Sequence, residues 1–152
     1  RRDNEVAADW LLYYEEHKRE YQELLDDVTS GPSLNLTDPR TARTNAISDP
    51  TARAGMLLMH SEHAKWLALV EEVERRLPWK MQVFLRLRRE HRHARGNQGW
   101  VAAVQWGYAA AVAERTGKRQ EEVWIEGKNT FGEWWRRIVE YTVRLAAKRG
   151  LL

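Results

Sequence analysis

The chain has 152 residues with 25 Lys/Arg against 22 Asp/Glu, a net charge of +3, and a length that suits one domain or a small domain with an appendage. It contains no cysteine, which excludes disulfides, thiolate metal sites and cysteine nucleophiles together. No apolar run approaches the roughly 20 residues that span a bilayer and no signal-peptide pattern is present, so a cytoplasmic protein without a membrane partner is expected.

The first predicted element is a helix from Glu5 to Val28. Ala7, Trp10, Tyr14, His17, Tyr21, Leu24 and Val28 recur at 3-4 spacing and form one stripe, which needs a partner to stay ordered. Residues 29–48, with Gly31, Pro32 and Pro39, read as a flexible linker. A second helix is predicted to open at Asp49-Pro50, where aspartate caps and proline suits the first helical position. Its stripe includes Met56, Met59, His63, Trp66, Val70 and Val73, and Pro78 ends it. Two such stripes predict a helical hairpin or coiled-coil arm over residues 1–77. Trp10, Tyr14, Tyr21, Met59, Trp66 and Val70 would pack the arm or join it to a second copy, making a homo-oligomer.

Residues 78–152 read as a separate, basic helical domain. A helix is expected from Trp79 to about Ala94, broken by Gly96, Asn97 and Gly99. An alanine-rich helix follows from Trp100 to Arg115 and closes at Thr116-Gly117. Arg119 to Glu126 is either helix or strand. Thr130-Phe131-Gly132-Glu133 has the form of a capping box for a last helix reaching about Arg149. The fold class expected is therefore all-α, an N-terminal arm joined to a C-terminal helix-turn-helix bundle.

Charge sorts with these halves. Residues 1–77 hold 10 Lys/Arg and 15 Asp/Glu, whereas residues 78–152 hold 15 and 7. A polyanion is attracted to the second half and repelled by the first. Arginine outnumbers lysine 19 to 6, and its planar fork suits phosphates and guanine edges. Double-stranded DNA is accordingly the expected partner. Arg136, Arg137, Arg144 and Lys148 lie off the apolar stripe of the last helix, while Lys118, Arg119, Lys128, Asn129 and Thr130 sit in its approach. In a helix-turn-helix these would meet base edges and phosphates. The 12 residues between Gly117 and Thr130 exceed the 3–4 of the compact motif. The adjacent Trp134 and Trp135 cannot both face inward, because neighbouring helical positions diverge by about 100°; Trp135 is expected at the surface or an interface.

Other chemistry is not expected. His60 and His63 are spaced i, i+3, but with no HExxH and no cysteine they suggest no metal site, and His17 and His63 read as register-setting residues of an apolar seam. Glu71, Glu72 and Glu74 read as a solvated face. No nucleophile motif, phosphate loop or cofactor motif is found, so neither an enzyme nor a cofactor is expected.

The order Trp10-Leu-Leu-Tyr-Tyr-Glu-Glu-His17, then Ser48-Asp49-Pro50-Thr51-Ala52-Arg53, then Val70 to Leu77, then Arg136-Arg137-Ile138-Val139 resembles the RinA/ArpU-type phage transcriptional regulators. The likeness covers nearly the whole chain, and its most specific stretch is Ser-Asp-Pro-Thr. The resemblance implies a divergent helix-turn-helix akin to sigma-factor region four. It also implies activation of late phage genes in a bacterial host, with RNA polymerase as a further partner. A small-terminase-like packaging protein and a helical adaptor for an acidic protein surface are the alternatives.

Overall fold

The computed structural model describes residues 2–34, 50–94, 96–126 and 128–152, and every regular element among them is helical. In chain order these are α1 (Arg2–Leu12), α2 (Tyr14–Leu34), α3 (Pro50–Arg76), α4 (Trp79–Glu90), α5 (Gly96–Thr116), α6 (Gln120–Val123) and α7 (Lys128–Lys148). The protein is all-α.

The single N-terminal helix expected from periodicity is two helices meeting at Tyr13. Helical hydrogen bonds continue across the junction, from Tyr13 N–H to the Asp9 carbonyl and from His17 N–H to the Tyr13 carbonyl, each 2.9 Å. At this junction the Leu11 carbonyl accepts a hydrogen bond of 2.8 Å from Arg89 Nε. α2 runs on to Leu34, through Gly31 and Pro32, so the beginning of the predicted linker is helical. The rest of that linker, and the cap expected at Asp49, lie outside the described residues. α3 begins at Pro50 as predicted.

Two boundaries in the basic half differ from the sequence reading. The break falls at His91–Ala94, and α5 starts at Gly96, so Gly96 and Gly99, expected to break the helix, belong to the first turn of the next one. α7 starts at Lys128, two residues before the expected cap Thr130. Glu133 does not serve as the reciprocal partner of a capping box; its carboxylate meets Arg136 and Arg137 instead. The ambiguous Arg119–Glu126 stretch forms one helical turn, α6. Gly117, at φ +73°, ends α5 with its N–H on the Ala113 carbonyl at 2.9 Å. Gly107 has a different role. A Cβ there would stand 2.6 Å from Leu87 Cδ2, so its lack of a side chain sets how closely α5 approaches α4.

The acidic and basic halves share one core. Ala7, Leu11 and Tyr14 from α1 and α2, and Leu67, Val70 and Val73 from α3, lie in the same buried cluster as Phe84, Leu87, Val104, Tyr108, Phe131 and Ile138. α7 is central, touching α1, α3, α4 and α5. Its Phe131 stacks on Phe84 at 5.5 Å, and Trp134 stands edge-on to Phe84 and Tyr108, each at 5.7 Å. A smaller cluster of Trp66, Leu69 and Ala146 gathers Val6, Trp10, Leu151 and Leu152 around it.

The arm residues divide. Tyr14, Trp66 and Val70 are buried, and Trp10 and Tyr21 are half-buried. Met59 is 63% exposed and belongs to neither cluster; Met56, Leu57 and Leu58 beside it are exposed too. α2 packs along α3 within the same chain. Among the described residues no helix is long and apolar enough to cross a membrane.

Charge complementarity reinforces the shared core. Arg92 grips Glu16 with two hydrogen bonds, of 2.5 Å and 3.1 Å. Arg89 meets Glu74 at 2.9 Å, and Arg149 pairs with Glu72, which also holds Arg76 at 2.6 Å. Part of the charge sorting seen in the sequence is therefore used inside the molecule.

Candidate nucleic-acid interface

α7 has the strongest sidedness of the basic half. Phe131, Ile138, Val139, Thr142 and Ala146 are buried, while Glu133, Arg136, Arg137, Glu140, Arg144 and Lys148 are exposed. Their i, i+3 and i, i+4 spacing puts the exposed residues on one face. Arg136 to Lys148 extends about 18 Å along the helix at 1.5 Å per residue. Thr142, the buried polar residue, donates to the Ile138 carbonyl at 2.8 Å, so the inner face carries no orphan hydroxyl.

Four cations stand on this face against two carboxylates. Glu133 Oε1 lies 3.1 Å from Arg136 Nη2 and 3.3 Å from Arg137 Nη2. Both guanidinium side chains remain about two-thirds solvent-exposed, at 64% and 66%. Such pairs contribute about 0–1 kcal/mol, little enough for an approaching phosphate to displace them. Arg144 and Lys148 are exposed further along the same helix.

The remaining residues expected at the interface lie in the stretch after α5 and in the first turn of α7. Lys118 and Arg119 are exposed in the stretch after α5, where Arg119 meets Glu122 at 3.5 Å. Asn129 is exposed and Thr130 half-buried in the first turn of α7. The Lys128 side chain lies outside the described residues. α6 packs on α5, and Gln105 Nε2 ties the following segment down by donating to the Ile125 carbonyl at 3.2 Å.

Three features escaped sequence reasoning. Arg115 places its guanidinium 4.2 Å from the Trp79 ring, with Lys80 Nζ at 5.8 Å from the same ring, which makes a second basic-aromatic patch. Trp106 is 67% exposed and meets Trp124 edge-on at 5.0 Å. The open cavity of about 370 Å³ beside that pair is lined by Gln120, Glu121 and Glu126, and the two carboxylates repel phosphate. Trp135 is half-buried: the Arg88 guanidinium sits 5.1 Å from its ring and 4.5 Å from Trp100. Burial lowers the pKa of Arg88 from the usual arginine value, and the two indole faces offset part of the loss of water. Arg88 is thus half-buried beneath two indole rings and is not one of the fully exposed arginines.

Compared with known proteins, the chain matches no family model, no curated protein and no solved structure.

Proposed function

We propose that the protein is a double-stranded-DNA-binding regulator of transcription that contacts the duplex through the exposed face of α7. The observation that carries this reading is the run of Arg136, Arg137, Arg144 and Lys148 along one solvent face of a helix whose other face is anchored in the core. A rigid rod of this kind fits the major groove, where arginine forks read guanine and phosphate contacts set the register. Lys118 and Arg119 supply further phosphate contacts. The exposed Met56 to Met59 stretch of α3 supports self-association, which would present two such helices to two half-sites. A late-gene activator acting with RNA polymerase in the bacterial cytoplasm is the finer form of the proposal, and it rests on the sequence resemblance alone.

The test is the double variant Arg136→Ala/Arg137→Ala in duplex titrations at several salt concentrations. Affinity should fall by about 1–3 kcal/mol for each arginine that reads a base. The slope of log K against log salt should shrink by about 0.9 for each phosphate that is no longer neutralised. Unchanged affinity and slope, with the fold intact, would refute the assignment. Selection of bound sequences from a random duplex pool then gives the site and its symmetry.

A further inference from the structure

We infer that the crossing of α2 and α3 is a divalent transition-metal site with His17, Glu20 and His63 as its ligands. One ligand atom from each residue lies within 4.8 Å of the other two. His17 Nδ1 is 3.5 Å from Glu20 Oε2, and a tetrahedral site with bonds of about 2.1 Å has ligand–ligand edges of about 3.4 Å. One edge of the polyhedron is thus already at its working length. Two imidazoles and a carboxylate form a borderline donor set suited to Zn²⁺, with one position left for water.

The environment of His17 is what separates this group from an ordinary surface cluster. Its Nε2 lies 2.7 Å from Asp9 Oδ2. An ionised carboxylate only accepts, so Nε2–H donates to Asp9 and Nδ1 is the nitrogen left to face a metal ion. That Nδ1 is buried and has no hydrogen-bond partner, and Glu20 is the carboxylate beside it. A carboxylate behind a histidine in this way fixes the tautomer and raises its basicity toward a metal. The His63 ring is held against the same turn by a hydrogen bond of 2.8 Å between its Nε2 and the His17 carbonyl. Trp10 stacks on His17 at 4.0 Å and stands edge-on to His63 at 4.8 Å, so both rings are braced. The Glu20 side chain, 59% exposed, is free to swing onto an ion. A bound ion would pin α2 to α3 independently of any contact with DNA.

The full-length protein, free of DNA, is titrated with Zn²⁺ by calorimetry at neutral pH, and the Co²⁺ form is examined by visible absorption. One ion per chain is expected, with the absorption of a low-coordinate Co²⁺ centre and a rise in Tm that grows with Zn²⁺ concentration. Tryptophan fluorescence should change with the same stoichiometry, and Trp10→Phe should remove most of that change. Glu20→Gln, at an exposed position that the fold does not need, should weaken binding, and His63→Ala should abolish it. Asp9→Asn should weaken it roughly 10-fold to 100-fold by its effect on the tautomer. His93→Ala, at a ring that meets Tyr13 and stands outside this group, should leave it unchanged. No binding by the wild type, or equal binding by wild type and Glu20→Gln, overturns the proposal. So does an equal loss in His93→Ala.

Discussion

Two groups of arginines in the basic half differ in what surrounds them, and that difference teaches more than their number. Arg89 and Arg92 of the α4 region face α1, α2 and α3, where Glu74, Glu16 and the Leu11 carbonyl accept hydrogen bonds from them. Arg89 is only 14% exposed. Arg136, Arg137 and Arg144 of α7 face water, and the carboxylate that meets the first two, Glu133, is shared and solvated. The first group joins the halves of the molecule; the second stays exposed to solvent. A linear charge count cannot separate them. An ion pair gains strength as water is removed from it, so only position in the folded chain shows which cations are committed.

The largest effect should come from breaking the shared core. Leu11→Ala, at a fully buried α1 position, should cost about 2–5 kcal/mol. The loss should appear as one cooperative transition, followed equally by far-ultraviolet dichroism and by tryptophan fluorescence. If α4 to α7 kept their melting temperature while α1 to α3 unfolded, the two halves would not be one cooperative unit.

Arg89→Ala tests the committed group. It leaves Glu74 and the Leu11 carbonyl unpaired, at a cost of about 1–3 kcal/mol, while the DNA affinity of the folded fraction should be unchanged. A loss of affinity at constant stability would move Arg89 into the interface and erase the contrast.

Tyr14 sharpens the same seam through pH. Burial, then the hydrogen bond of 2.5 Å to Glu71 and the charge of that carboxylate, raise the pKa of its hydroxyl above the ordinary tyrosine value. Burial raises Tyr108 as well. The folded protein holds these protons more tightly than the unfolded chain, so their contribution to stability is complete at neutral pH. It is lost once pH rises past about 10, where unfolded tyrosine ionises. Tyr14→Phe should flatten the fall of the urea midpoint above that pH. An identical slope in variant and wild type would remove Tyr14 from the account.

Glu133→Gln bears on the free group and should have the smallest effect. Stability should shift by no more than about 0.5 kcal/mol. Duplex affinity at low salt should rise by about 0.5 kcal/mol, a factor of about two, as both arginines are released. Weaker binding would mean that Glu133 positions the pair for the duplex, not that it competes with the phosphate.

Sequence alone determined the class of the fold and the sidedness of its last helix, because period, proline and glycine act over a few residues. The α3 start at Pro50, the end of α5 at Gly117 and the opposed faces of α7 were all legible from nearest neighbours in the chain. Other features were set by groups distant in sequence. The α1–α2 junction at Tyr13 lies beside a hydrogen bond from Arg89, 78 positions away from Leu11. Arg88 lies between Trp100 and Trp135, and carboxylates of the front half meet arginines of the back half. His17 and His63, which read along the chain as isolated seam residues 46 positions apart, become neighbours only when α2 lies on α3. Local rules fix which residues are helical and which side is apolar. The energy of burying charge and aromatic surface selects which sides meet, and that selection exists only in three dimensions.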